Sequence, residues 1–267
     1  MPETKTTLLT AIPLAKFEAK SGSHVLSFFT WEQGQIRAIV RTARGKKKPS
    51  VPLLPLFSTY EILFTQPRQA DGLYELKERE TVTGRQKLNS GTPLEPWAAA
   101  SVLSELLLRT TEKEDPHPYL FSMLDKALDC MESGDSPGIL LTAFLVKFLE
   151  HMGYRPRWES PEANLSERKY WWFDPALGGL FTQKEIGRVV EEEERPSLRK
   201  PTRTSSEEIA IIHRFRLSKF EEIEGNEAEV ATAKKWVPLL GDYVEYHLET
   251  RLKSLDFWKE IQPKRKK

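Results

Sequence analysis

Between Thr7 and Val82 the chain repeats one arrangement five times: a short run of alternating or β-branched apolar residues bounded by turn residues. The runs are Thr7 to Leu14, Val25 to Trp31, Gln35 to Thr42, Thr59 to Thr65 and Leu73 to Val82. Turn signals fall between them, at Ser21-Gly22-Ser23, Gln33-Gly34, Arg44-Gly45, Gln66-Pro67 and Asp71-Gly72. A period of two over four to eight residues, punctuated this way, is the pattern of half-buried strands. The spacing is that of an antiparallel meander, and five strands in some eighty residues are the size of a small barrel. An OB-type barrel is the first choice and an SH3-like barrel its competitor.

Beyond Gly91 the period changes. Thr92-Pro93-Leu94-Glu95-Pro96 opens a helix from Trp97 to Arg109, with Leu103, Leu106 and Leu107 on one stripe. A second helix follows Asp115-Pro116-His117-Pro118 and runs to about Met131. A third, from Pro137 to His151, carries Leu140, Leu141, Phe144, Leu145 and Phe148 and stops at Gly153. Three helices with short links predict a bundle. The fold class is therefore α+β, with a barrel domain over residues 1–90 and a helical domain over 91–267. Within the latter, residues 154–187 form an aromatic, turn-rich insert, and 190–206 reads as a mobile charged linker. Two more helices are predicted, about Ser206 to Glu222 and Glu229 to Trp258, before a basic tail that ends Lys264-Arg265-Lys266-Lys267.

The third strand runs directly into a cluster of cations. Ile36, Ala38 and Val40 alternate with Arg37 and Ile39, and Arg41, Arg44, Lys46, Lys47 and Lys48 follow. An apolar face buries while the cations stay in water, where they neutralise phosphates. A solvated loop tip has the same composition, so the wider charge balance matters. Residues 1–90 hold 14 Lys/Arg against 8 Asp/Glu, whereas the remainder holds 26 against 31. That asymmetry gives the amino-terminal part a face for a polyanion. Trp31 either stacks on bases or belongs to the barrel core. Near the last helix's end, Arg251 and Lys253 are further cations, with favourable interaction with the helix dipole as the plain reading.

Other functions lack their groups. The five histidines are scattered without metal-ligand spacing, and neither a phosphate loop of the form G-x-x-x-x-G-K-S/T nor a G-x-S-x-G elbow occurs. The single cysteine, Cys130, excludes an intrachain disulfide and a cysteine-based zinc cage, and reads as a small core residue. No apolar run is long enough to span a membrane, and the amino terminus lacks the blocks of a secretion signal, so the cytoplasm is the expected location. The residues thus leave two readings, a nucleic-acid binder and a scaffold whose basic strip binds acidic peptides. Neither needs catalytic residues or a cofactor.

Five segments carry a family resemblance. Tyr243-Val244-Glu245-Tyr246-His247-Leu248-Glu249-Thr250-Arg251-Leu252-Lys253-Ser254 resembles a carboxy-terminal helix of the form Y-x-x-x-H-L-x-x-R-x-x-K/R-S. Phe28 to Arg44 is similar to a strand, glycine turn, strand and A-R-basic loop. Leu54-Pro55-Leu56-Phe57-Ser58 resembles L-x-P-F/L-x, Phe148 to Pro156 resembles L-x-x-x-G-Y-x-P, and Phe173 to Gly179 resembles F-x-x-x-x-G-G. In this order they resemble the RecO family of bacterial recombination mediators. The resemblance implies binding of single- and double-stranded DNA, strand annealing, and work with a RecR-type protein to place RecA on strands coated by single-strand binding protein. It further implies docking of that protein's acidic tail on the helical domain, and a nucleoid-associated place in the cytoplasm. The DNA-contacting residues it favours are Arg37, Arg41, Arg44, Lys46, Lys47, Lys48, Arg251 and Lys253.

The chain also departs from the family. Many relatives place one Cys pair after G-Y-x-P and another after the Gly-Gly, forming a zinc module. Here those stretches read Trp158-Glu159-Ser160-Pro161 and Leu180-Phe181-Thr182-Gln183-Lys184, so no metal is expected. Packing of Tyr170, Trp171, Trp172 and Phe173 is expected to take over its structural part. The acidic residue usual before the second strand is likewise absent around Ser21-Gly22-Ser23.

Overall fold

A computed structural model describes residues 5–19, 23–41, 54–67, 72–158, 169–192, 200–223 and 225–262. The chain falls into two compact units, residues 1–133 and 134–267.

In the first unit, strands β1 (Thr6–Glu18), β2 (Ser23–Thr30), β3 (Gly34–Arg41), β4 (Thr59–Thr65) and β5 (Tyr74–Thr83) form a closed barrel in the order β1-β2-β3-β5-β4. All five predicted strands are present, within a few residues of their expected ends. The expected meander is not the topology. β1 pairs with β4 through Thr6 to Ala11 and with β2 through Ala11 to Glu18, so its two halves serve different neighbours. The register shift between Pro13 and Ala15 bends the strand within the second half, as an extra residue in one strand does. β4 therefore returns to β1, and β3 closes the barrel by parallel pairing with β5 at Ala38↔Tyr74 and Ile39↔Glu75. This is an OB-type barrel. Its core holds Leu9, Leu26, Phe28, Ile36, Val40, Ile62 and Phe64, with the edge of one ring on the face of the other at 5.4 Å for Phe28 and Phe64.

Helices α1 (Gln86–Ser90), α2 (Leu94–Thr110) and α3 (Pro118–Ser133) belong to this unit. Arg85, just before α1, is fully buried and holds α3 to the start of β4. Its guanidinium donates to Asp129 Oδ1 at 2.6 Å, Asp125 Oδ1 at 2.6 Å, Thr59 Oγ1 at 3.0 Å and the Phe57 carbonyl at 2.6 Å. Cys130 is buried on α3.

The second unit begins with α4 (Pro137–His151), apolar on nearly every side, which packs against α6 (Ser206–Leu217) and α7 (Glu227–His247). The helical bundle thus differs from the one expected. α2 and α3 cover barrel residues, with Phe121 stacked on Phe29 and Trp97 against Phe57, while α4 finds its partners in later helices. The last predicted helix is two: α7 ends at His247 and α8 (Lys253–Ile261) starts six residues later. Glu249 takes a positive φ of 48°, and Glu245 reaches back to accept the Leu252 N–H at 2.8 Å. Buried Leu255 then packs on α7 at Gly241, where a Cβ would lie 2.2 Å from Leu255 Cδ2. α8 needs that contact, and a continuous helix would carry Leu255 away from it.

Strands β6 (Tyr170–Asp174), β7 (Gly179–Phe181) and β8 (Thr202–Ser205) form a small antiparallel sheet in the order β7-β6-β8, with α5 (Gln183–Glu192) after β7. The expected mobile linker over 190–206 is corrected at both ends: residues 190–192 belong to α5, and 193–199 lie outside the described residues. Residues 202–205 are β8, paired with β6 from Tyr170↔Ser205 to Phe173↔Thr202, and Thr204 is buried. Pro201 stands just before the strand, where its missing N–H costs no ladder bond.

A capping box fixes β8 to α6. Ser205 accepts the Glu208 N–H, and Glu208 Oε2 accepts from the Ser205 N–H at 2.9 Å, Thr204 Oγ1 at 2.8 Å and Lys235 Nζ at 2.6 Å. Burial alone would raise the Glu208 carboxyl, but these donors outweigh it and hold it below its ordinary 4.5. A depressed carboxyl contributes stability above its unfolded value and loses it as the pH falls through the folded one. Glu208→Gln should therefore cost about 1 kcal/mol at neutral pH and flatten the acid limb of the stability profile below pH 4.5. Urea titrations at a series of pH values check both; an unaltered acid limb would assign it to other carboxylates.

Candidate nucleic-acid interface

β3 presents what its alternation predicts. Ile36, Ala38 and Val40 are buried and Arg37 is exposed, opposite Ser27 on β2. Arg37 makes no hydrogen bond or ion pair among the described residues, so its charge is free for a ligand. Arg41 is the last residue of β3, opposite Ser23. Arg44, Lys46, Lys47 and Lys48 lie outside the described residues.

Beside Arg37 is a cleft of about 210 Å³, lined also by Gln35, Leu73, Tyr74, Lys113 and Glu114. Gly34 opens β3 at φ 63°, directly against the Asp115 backbone. Gln35 fixes the floor: its Nε2 donates to the Thr111 carbonyl at 2.7 Å, Thr111 Oγ1 at 2.7 Å and the Leu107 carbonyl at 3.0 Å, all at the end of α2. The Glu114 N–H donates to the Gln35 carbonyl at 3.0 Å, which draws residues 113–114 alongside β3. Lys113 is thereby held near Arg37, exposed and without an ion pair among the described residues.

Among the described residues of this lining the one carboxylate, Glu114, is already engaged. The Tyr74 hydroxyl donates to Glu114 Oε1 at 3.0 Å and lies 3.1 Å from Gln33 Oε1. Burial, with Glu114 adding to it, pushes the Tyr74 hydroxyl up to about 12, so it stays a donor across the physiological range. The cleft has two free cations at its rim and a carboxylate bound to a phenol, an arrangement that favours an anion over a cation.

Trp31, in the β2–β3 turn, is 42% exposed and meets Phe121 edge-on at 5.8 Å. Its backbone N–H donates to the Thr10 carbonyl at 2.9 Å, and Glu32 accepts from the Thr10 N–H and hydroxyl, so the turn carrying the ring is pinned to β1. An exposed ring on a pinned turn is a candidate stacking surface.

Arg251 and Lys253 belong to the second unit. Arg251 is in the link between α7 and α8 and pairs with Asp256 at 3.1 Å; Lys253 is exposed in the first turn of α8. Neither sits at a helix carboxy terminus, so the dipole explanation does not hold for them; at an amino terminus the dipole disfavours a cation. Lys113 had no sequence signal. It lies in a short link between helices, and only the hydrogen bonds to Gln35 bring it to β3.

In β6, within the stretch where the resemblance would place a zinc module, Trp171 and Phe173 point inward. Phe173 meets Trp236 at 4.9 Å and Trp158 at 6.1 Å, with Tyr243 beyond. Tyr170 and Trp172, expected in the same packing, face the other way because successive strand residues alternate. Among the described residues no group of three or more His, Cys, Asp or Glu is placed to hold a metal ion. His247 donates from Nε2 to the Pro175 carbonyl at 2.8 Å and packs on Tyr243, a structural role. No described helix is long and apolar enough to cross a membrane.

Two family models match the chain: recombination protein O N terminal over residues 5–85 and recombination protein O C terminal over 93–256. Similar proteins include one named DNA repair protein RecO from Desulfosudis oleivorans, 26% identical over 250 residues, covering 89% of this chain and 91% of the relative. Another of the same name, from a Nocardioides species, is 24% identical over 252 residues, covering 92% and 96%. A third, from Desulfitobacterium hafniense, is 28% identical over 147 residues, so that the matched part spans about half of each protein (55% and 52%). With family models matching both its barrel and its helical region, the chain belongs to the RecO family of DNA repair proteins.

Proposed function

We propose that this protein is a recombination mediator that binds single- and double-stranded DNA through the β3 face of its barrel and anneals complementary strands. With a RecR-type partner it helps to place RecA on strands coated by single-strand binding protein, whose acidic tail it contacts, and it works at the nucleoid in the cytoplasm. The observation that carries this reading is the pair of cations without an ion-pair partner among the described residues, Arg37 and Lys113, lining one cleft of the barrel unit, the same unit that exposes Trp31. Phosphates take the cations and unpaired bases take the ring. Annealing needs only charge neutralisation and close approach of two strands, so no catalytic group or cofactor enters. Arg41, Arg44, Lys46, Lys47 and Lys48 extend the strip along the chain, and Arg251 and Lys253 add a contact from the second unit.

The test is fluorescence anisotropy of a labelled single strand across a salt series, followed by annealing with its complement. Arg37→Gln with Lys113→Gln should weaken binding about tenfold and reduce the salt slope by about 1.4, at about 0.7 for each lost phosphate contact. Melting should not change, because both side chains are exposed. An unchanged slope in the folded variant removes this rim from the interface. No binding by the wild type at low salt would leave the acidic-peptide scaffold as the account of the basic strip.

A further inference from the structure

The sheet β7-β6-β8 has two unlike faces. Its inner face, Trp171 and Phe173, is buried. On its outer face Tyr170 is 43% exposed, Trp172 is half-buried, and Arg203 stands directly across from Trp172 on β8. The Arg203 guanidinium lies over the Tyr170 ring at 3.7 Å, and Lys169 approaches the same ring at 5.7 Å. On the other side of Trp172, Phe181 is its partner on β7 and carries Arg157 over its ring at 4.1 Å. Rings and guanidinium groups therefore alternate from Arg203 on β8 to Arg157 beside β7, with Phe181 itself buried.

The arrangement is held from behind. Lys235 Nζ donates to the Arg203 carbonyl at 2.8 Å, and the Arg157 backbone exchanges 2.8 Å bonds with Gly178 and Leu180. Gly179 permits this approach, since a Cβ there would lie 2.3 Å from the Arg157 carbonyl. Among the described residues Arg203, Lys169 and Arg157 have no carboxylate partner. Cation–ring stacking alone explains one such pair on a surface. It does not explain three uncompensated cations and an exposed ring on one small sheet whose other face forms a core.

We propose that this outer face is a second single-strand binding surface, taking unpaired bases against Tyr170, Trp172 and Arg203 and backbone phosphates on Lys169 and Arg157. A β-sheet with exposed rings is a platform for splayed bases, and a guanidinium stacked on a ring by one face leaves its other face for a base. A duplex hides its base faces and gains only the phosphate contacts, so the surface selects single strands. An acidic peptide would use the cations but not the rings. The proposal rests on the DNA-binding reading and adds to it a site in the second unit.

The experiment is photocross-linking of the full chain to oligothymidylate containing 4-thiothymidine, with mapping of the attached peptides. Cross-links are expected at residues 169–173 and 203 as well as on the barrel. Tyr170→Ser with Arg203→Gln should lose the former, keep the latter, and weaken oligothymidylate binding about tenfold, while duplex affinity changes less than threefold. Cross-links confined to the barrel, with unchanged affinity in the folded variant, overturn this site and leave the barrel reading intact. Cross-links confined to the sheet do the reverse. If the double variant melts early, the wild-type map decides, because a structural role for Tyr170 and Arg203 places no thymidine beside them.

Discussion

Arg85→Ala should destabilise the first unit by about 3 kcal/mol, the largest loss expected from any one cation among the described residues. The side chain is fully buried, and it is shared among two carboxylates, a hydroxyl and two carbonyls. Removing it leaves Asp125 and Asp129 facing each other without a counter-charge. Because they are 26% and 37% exposed, water recovers part of the loss, which puts the cost at the lower end of the range for a broken buried pair. The change also frees the Phe57 carbonyl, in a residue at φ 63° where any side chain but glycine is strained. Arg85→Lys should recover only part of this, since one ammonium cannot serve all those acceptors. Urea denaturation reads the effect directly, and a loss below about 1 kcal/mol would mean that the two aspartates are satisfied by solvent. At equal folded fraction, DNA affinity should be unchanged, because a buried guanidinium reaches no phosphate.

Gly34→Ala should cost about 2–4 kcal/mol and impair DNA binding with it. Two effects combine at this position. The φ of 63° disfavours a side chain, and the new Cβ would lie 1.9 Å from the Asp115 carbonyl oxygen, so the 113–115 segment must move. Lys113 would move too, and the cleft rim would lose its geometry. Gly91→Ala separates the two effects, since Gly91 has a φ of 70° but nothing within 4 Å of the added Cβ. It should cost about 1 kcal/mol with DNA affinity intact. Equal losses at the two glycines, by thermal melting and anisotropy, would show that the 113–115 segment yields freely and does not position the rim.

These two residues also mark the limits of reading the chain as a string. The alternation of Ile36, Arg37, Ala38 and Val40 gave the strand and its two faces, because strand burial is local and has period two. Helix α4 was legible to the residue for similar reasons, with Pro137 at its start and Gly153 after its end. Pairing was not legible. That β4 would return to β1 depends on one bulged strand serving two partners, and a turn signal does not say which neighbour a strand will choose. The single long helix read from Glu229 onward failed because apolar periodicity continues through the break, while the contact of Leu255 with Gly241 needs the chain to turn. At the interface, Arg37 was visible in the pattern. Lys113 was not, since a link between helices carries no mark of the distant Gln35 that holds it. Arg85 was misread in a different way: counted among the amino-terminal cations, it lends nothing to the surface field, as its charge is spent inside the fold.

The barrel's connectivity also sets an order in which it can be assembled. The first strand waits for the fourth and the third for the fifth, so no closed ring exists until Thr83 has left the ribosome. The β2–β3 hairpin, with its three-residue turn, closes a short loop and needs neither of those late partners. Arg37 thus lies on the most local piece of the architecture, and Lys113 joins it only after the whole ring and α2 are in place. On a growing chain the strand that carries Arg37 is shaped early, whereas the rim that gives it a second charge is completed late.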